Sequence, residues 1–247
     1  MQASDILRLG PVYLPNPDMS GPSPQERGIG PLGNVFLFDV VPLTLQAAGL
    51  ATAQNPGSGA AFTLTAGTGV TTRVRADGVT EYVLDTPRCV TVTAAGANTA
   101  TYTIVGYDLY GQKMSQTVAA PSTSTVATTK AFKSVISVTN ANATASTNDV
   151  TVGFNDKLGL PFRVTNAVYV LSVKWNSTLA QDAGTFVAAD TTSPSTTTTT
   201  DVRGCYTPSS AADGTKRLTM LIGLPMAAVG PLATRVGAAG VDQNLVT

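Results

Sequence analysis

Histidine is absent from this 247-residue chain, and with it go the usual general base near neutral pH and the commonest metal ligand. A Ser-His-Asp or Cys-His arrangement is therefore excluded. Charge is scarce as well: Asp, Glu, Lys and Arg make up 12% of the residues, with 15 cations against 15 anions. That share is about half of an average soluble domain's. A surface so poor in charge is not kept apart by repulsion and is prone to associate. It also offers no basic footprint for nucleic acid or anionic lipid, so neither partner is expected. Glutamate occurs only at Glu26 and Glu81, and this lack of a strong helix former argues against long surface helices. The two cysteines, Cys89 and Cys205, are too few for a disulfide framework and lack the CxxC spacing of a zinc site. They are expected as two buried thiols in a protein made in a reducing cytoplasm, with their pairing left open by the sequence. No run of about 18 apolar residues is present, so no membrane span is expected. Residues 1–10 have no charged-then-apolar stretch resembling a signal peptide.

What the chain has in quantity is threonine, roughly forty residues of it. Thr is β-branched and favours a pleated, half-buried surface. Residues 35–41 read as a buried strand stopped by Pro42, and short alternating runs punctuated by turn residues recur at 62–66, 70–76, 81–84, 89–94, 101–107, 113–118, 132–139, 150–154 and 168–175. The alternation is cleanest from Cys89 to Thr93 and from Phe132 to Thr139. The pattern predicts an all-β fold, a β-sandwich of jelly-roll type with an Ig-like sandwich as the alternative.

Three segments depart from it. Residues 1–33 interleave Pro11, Pro15, Pro17, Pro22, Pro24 and Pro31 with five glycines. Fixed φ and missing N–H groups exclude helix and central strand there and predict an extended arm. Its apolar residues are too many for a solvated tail, so the arm is expected to lie along a neighbouring subunit, with Ile6, Leu9, Val12, Tyr13 and Leu14 as contact residues. Residues 34–225 form the expected β body. Residues 226–247, rich in Ala, Gly and Val, lack the large side chains for a core and are expected as a tail or second clamping arm. Within the body, residues 191–200 are a Ser/Thr/Pro run expected as a polar loop.

Candidate chemistry is thin. Thirteen aspartates in turns make chance carboxylate pairs unremarkable, and no catalytic residue is assigned. The run from Gly28 to Gly33 lacks the GK[ST] ending of a phosphate loop. Asp77-Gly78, Asp213-Gly214 and Asp108 near Gly111 read as hairpin turns before they read as calcium ligands. Trp175 ends an alternating run and is expected in the core. No metal, cofactor or enzymatic activity is expected.

Residues 100–118 place Gly106, Asp108 and Gly111 between two strand patterns, a Gly-x-Asp-x-x-Gly turn. This stretch resembles a hairpin element of tailed-phage virion structural proteins. Residues 130–133 leading into a Val/Ile run, residues 152–163 and residues 201–208 are similar to the same proteins, so the resemblance covers roughly 85–217. It implies a capsid decoration or cement protein, a sandwich without catalytic residues. Such a protein sits on the outer capsid surface of the virion and bridges major capsid subunits, and the neutral, Thr-rich surface predicts a homo-oligomer, dimer or trimer. Collar, tail and head-fibre subunits use similar sandwiches, and an adhesin-like carbohydrate binder is the more distant alternative.

Overall fold

A computed structural model describes residues 34–119, 121–142, 146, 148–224, 241 and 243. The chain is all-β, as expected, with every strand pair antiparallel. The strands are β1 (Asn34–Val40), β2 (Gln46–Gln54), β3 (Val70–Val74), β4 (Thr80–Ala94), β5 (Tyr102–Tyr107) and β6 (Lys113–Val118). They continue with β7 (Thr125–Asn140), β8 (Val150–Gly159), β9 (Val170–Trp175), β10 (Thr185–Val187), β11 (Cys205–Thr207) and β12 (Leu218–Leu224). Nine of them form one sheet, ordered β10-β11-β8-β4-β7-β5-β6, with β2 also on β8 and β3 also on β4. The remaining three form a small sheet, β1-β12-β9.

Alternation places the core. In β5, Tyr102, Ile104 and Gly106 turn inward while Thr103, Val105 and Tyr107 are half-buried. Leu50, Leu84, Val90, Val92, Tyr102, Ile104, Phe132, Val152 and Phe154 belong to one apolar cluster of the large sheet. A second cluster lies under the small sheet, where Val173, Trp175, Leu218, Met220 and Ile222 meet Leu158, Leu160 and Tyr206. Removing that apolar surface from water, at about 25 cal/mol per Å², is what ties the two sheets together. Trp175 sits in this second cluster, 4% exposed, and its indole N–H donates to Ser210 Oγ at 2.9 Å.

Several expected boundaries move, each for a physical reason. The runs at 81–84 and 89–94 are one strand, β4, despite Pro87. Pro87 has no N–H to donate, and the strand accommodates it with register breaks between Val83 and Arg88 on β7 and between Arg88 and Val90 on β8. Residues 62–66 do not form a strand. Phe62 N–H donates to Val138 O (2.8 Å) and Thr65 N–H to Leu50 O (2.8 Å), so the segment bonds to two different strands instead of running along one. The strand paired with β8 on this side is β2, whose Ala- and Gln-rich sequence has little strand propensity to announce it. β2 fits because Gly153 lets it come close: a Cβ there would lie 1.9 Å from Gln46 O. Residues 167–169 form a 3₁₀ turn capped by the Asn166 side chain, which delays β9 to Val170. The run 191–200 has no strand, as expected.

Candidate functional site

The four stretches singled out for their resemblance converge on one buried polar hub. In the β5–β6 turn, Asp108 Oδ1 accepts from the N–H of Tyr110 (2.9 Å) and Gln112 (2.8 Å), and Gly111 adopts φ +78° to close it. The other carboxylate oxygen accepts from Arg203 Nη1 at 2.9 Å, a pair with side chains 2% and 0% exposed. Asp201 Oδ2 accepts from Ala131 N–H (2.8 Å), while its Oδ1 accepts from the N–H of Arg203 (2.8 Å) and Gly204 (3.2 Å). Burial pushes the Asp201 carboxyl above its ordinary range, against the pull of Arg203 and these backbone donors. Leu160 N–H donates to Gly204 O (3.0 Å) and Val164 N–H to Arg203 O (3.0 Å), which brings in the segment after β8.

Lys130 completes the hub under the Thr-rich loop. Its ammonium donates to Thr196 O (2.6 Å), Ser115 O (3.4 Å) and Ser195 Oγ (3.4 Å). Burial lowers its pKa from 10.5 to about 8, with Asp201 and Asp190 pulling the other way. Asp190 fastens the loop itself by accepting from the N–H of Thr192 (2.8 Å) and Thr200 (3.0 Å). Of the expected C-terminal tail, Val241 and Gln243 are described, and both are buried in this chain's own body. Gln243 Nε2 donates to Asp108 Oδ2 and Ser195 Oγ donates to Gln243 Oε1, each at 3.4 Å. Every charged group of the hub is thus committed to an internal partner, which is the arrangement of a structural clamp.

A second buried clamp spans the β4 irregularity. Arg88 donates to both oxygens of Asp85 (2.8 and 2.6 Å), to Asp156 Oδ1 (3.1 Å) and to Leu43 O (2.5 Å), and lies over the Phe154 ring. Near it, a cleft of about 310 Å³ is lined by Phe38, Val40, Pro87, Leu109 and Lys133. Lys133 is tethered to Leu84 O (2.7 Å) and Asp85 O (3.0 Å), and burial lowers its pKa. An adjoining cleft holds Arg73, Arg75, Glu81 and Tyr107. Burial raises the Glu81 pKa, but hydrogen bonds from Arg75 (2.9 Å) and Arg73 (2.5 Å) outweigh it and the net shift is downward. These carboxylates are ion-paired to arginines.

The Asp-Gly pairs are turns, as expected. Asp77 Oδ1 accepts from Val79 N–H (3.1 Å) beside Gly78 at φ +81°, and Asp213 Oδ1 accepts from the N–H of Thr215 and Lys216, both at 2.9 Å. Cys89 and Cys205 are free and buried, packed with Ala131. Hydrogen bonding with Cys89 and burial hold the Cys205 thiol well above its ordinary pKa. Among the described residues no cluster of metal-ligating side chains occurs, and no helix is long and apolar enough to cross a membrane.

What remains is a surface. The inner face of β1-β12-β9 covers the second core cluster, while its outer face carries Val35 (49% exposed), Leu37 (61%), Leu171 (38%) and Leu221 (38%). Leu37 stands directly opposite Leu221, and Val35 opposite Gly223. Leu171 leans over Gly223, where an added Cβ would come within 3.0 Å of it. The four apolar side chains therefore gather at the end of the sheet where Asn34 pairs with Leu224. Toward the opposite end the same face turns polar, with Asp39 and Arg217 paired at 3.4 Å. β1 is also an edge strand of the small sheet, and an apolar edge is a template for further association. Sequence alternation did not mark this face, because β12 was not recognised and the outward residues of β1 read as part of a buried run.

The expected contact residues Ile6, Leu9, Val12, Tyr13 and Leu14 lie outside the described residues, as does most of the expected tail. Comparison of the chain with family models, with curated proteins and with solved structures finds no match.

Proposed function

We propose that this chain is a structural subunit of a tailed-phage virion, a decoration or cement protein that bridges neighbouring major capsid subunits on the outer shell. The observation that carries the proposal is the outward apolar patch of Val35, Leu37, Leu171 and Leu221, set beside the point where the Pro/Gly-rich segment enters the body. A folded β body whose buried charges are internally bonded, and whose described residues leave an apolar face exposed, works through contact area. A protein that binds only the assembled shell stabilises that shell by mass action. The resemblance in residues 100–118, 130–133, 152–163 and 201–208 points the same way, and those residues build the hub that keeps the body rigid. A jelly-roll sandwich without cofactor or catalytic residue, acting as a homo-oligomer, belongs to this reading.

A collar, tail or head-fibre position is the alternative within the same class. A carbohydrate-binding role finds less support, because Trp175, the chain's single Trp, is buried rather than offered as a platform. The test is sedimentation of purified virions followed by quantitative mass spectrometry. Shell decoration requires on the order of hundreds of copies per particle, whereas a tail-axis part gives about six or twelve. Deleting residues 1–33 is expected to abolish binding to capsids. Absence of the chain from virions, or undiminished decoration by the truncated protein, refutes the proposal as stated.

A further inference from the structure

The apolar end of the β1-β12-β9 face has an occupant that the chain itself supplies. We infer that this patch is the seat for residues 6–14 of a second copy of the same chain, so that copies are linked by exchange of their N-terminal arms. The inference rests on the assembly reading above and names the first partner in it.

Three observations carry it. First, the patch is apolar and continuous: Leu171 lies over Gly223, which pairs with Val35, and Leu37 and Leu221 stand side by side beyond them. Exposed apolar surface gathered in one place marks an association site. Second, the chain outside the described body contains a matching stretch. Ile6, Leu7, Leu9, Val12, Tyr13 and Leu14 fall within nine residues, and nothing else in 1–33 is comparably apolar. Third, the length of chain between the two is enough to reach a second copy. Residues 15–33 separate the stretch from Asn34 and include Pro15, Pro17, Pro22, Pro24 and Pro31. Those nineteen residues reach at most about 65 Å, beyond the width of about 40 Å of a body of this size, so the stretch can lie on the seat of a neighbouring copy. A chain of zero net charge with 12% charged residues does not repel that neighbour. Each copy offers one arm and one seat, and reciprocal exchange closes a two-fold dimer.

The test uses the full chain and sedimentation velocity. The arm variant is Leu9→Asp with Val12→Asp, and the seat variant is Leu37→Asp with Leu221→Thr. Leu37 and Leu221 point into solvent, so the β-sheet circular dichroism of the seat variant is expected to be unchanged. The wild-type chain is expected to self-associate, and each variant alone is expected to sediment as a monomer. An equimolar mixture of the two variants is expected to restore a 1:1 dimer, because the intact arm of one meets the intact seat of the other. Should the seat variant lose its fold, Leu37→Ser with Leu171→Ser serves instead, with self-association weakened at least tenfold. A monomeric wild type, a seat variant that associates as strongly as wild type, or a mixture that stays monomeric overturns the inference. Arm exchange that proceeds normally in a protein absent from virions overturns the proposed function and leaves the seat standing.

Discussion

Lys130 gives the sharpest test of how this interior is built, because it places a titratable amine in a site closed to water. The unfolded chain keeps the Lys130 proton up to the ordinary value of 10.5, whereas the native protein releases it near 8. Between those values the unfolded state binds more protons than the native one, so stability attributable to Lys130 rises with pH. Below 8 both states hold the proton and the native state bears the full cost of a buried charge. At about 1.4 kcal/mol per pH unit, the interval from 8 to 10.5 is worth about 3 kcal/mol. The perturbation is Lys130→Met, which keeps the stem and removes the amine. The assay is guanidinium denaturation of both proteins at pH 7, 8, 9 and 10. Lost bonds to Thr196 O, Ser115 O and Ser195 Oγ add a constant to the difference. The Cys205 and Tyr206 ionisations, both displaced upward by the fold, are common to the two proteins and cancel. Wild type minus variant is expected to be flat below pH 8 and to climb by most of 3 kcal/mol above it. A difference that stays level or falls across pH 8–10 refutes a desolvated amine at this position.

Other parts of the interior are open to simpler checks. Arg203→Met leaves the Asp108 carboxylate buried without its ion pair and is expected to cost about 3–5 kcal/mol of stability. Denaturant titration reads it, and a loss below about 1 kcal/mol removes the hub from the stability argument. Gly153→Ala places a Cβ 1.9 Å from Gln46 O, and the separation of β2 from β8 that follows is expected to cost at least about 1–3 kcal/mol. A thermal midpoint unchanged by that substitution rules out the close approach. Cys89 and Cys205, buried and free, are expected to ignore Ellman's reagent in the native protein and to react, both of them, in guanidinium. Rapid native labelling of either contradicts their enclosure.

How far the sequence reached can be followed strand by strand. β6 was legible to the residue, and β1, β3, β5 and β7 in their main parts, because β-branched and aromatic residues alternate there and turn residues bound them. β2, β10 and β11 were not, because Ala, Gln and three-residue pairings carry no periodic pattern. β12 escaped for a different reason: Leu218–Leu224 alternates inward Leu218, Met220 and Ile222 with outward Thr219 and Leu221, and one apolar outward residue is enough to blur the period. The same blurring hid the candidate site. An outward Leu in a strand reads as core until its partner strands are known, and Leu37, Leu171 and Leu221 come from three distant places in the chain. The hub was half visible: the turn role of Asp108 follows from Gly-x-Asp-x-x-Gly, but its ion pair with Arg203 joins residues 95 positions apart.

The scarcity of charge carries further in three dimensions than it does in composition. Of the acidic and basic residues, Glu81, Arg88, Asp108, Lys130, Asp156, Asp201 and Arg203 are buried, although such side chains are almost never enclosed in ordinary domains unless paired. Here five of the seven are ion-paired, while Lys130 and Asp201 are held by neutral hydrogen-bonding groups. Arg88 holds Asp85 and Asp156, Arg203 holds Asp108, and Arg73 and Arg75 hold Glu81. Charges spent on internal clamps are withdrawn from the surface, so a chain already at 12% charged residues presents still less of it to solvent. The clamps fix strands that the small side chains of a Thr- and Ala-rich sequence hold only lightly. The consequence at the described surface is many Thr hydroxyls interrupted by exposed apolar side chains, among them the β1-β12-β9 patch, where little charge opposes contact. Rigidity inside and adhesion outside thus follow from the same placement of the same few residues.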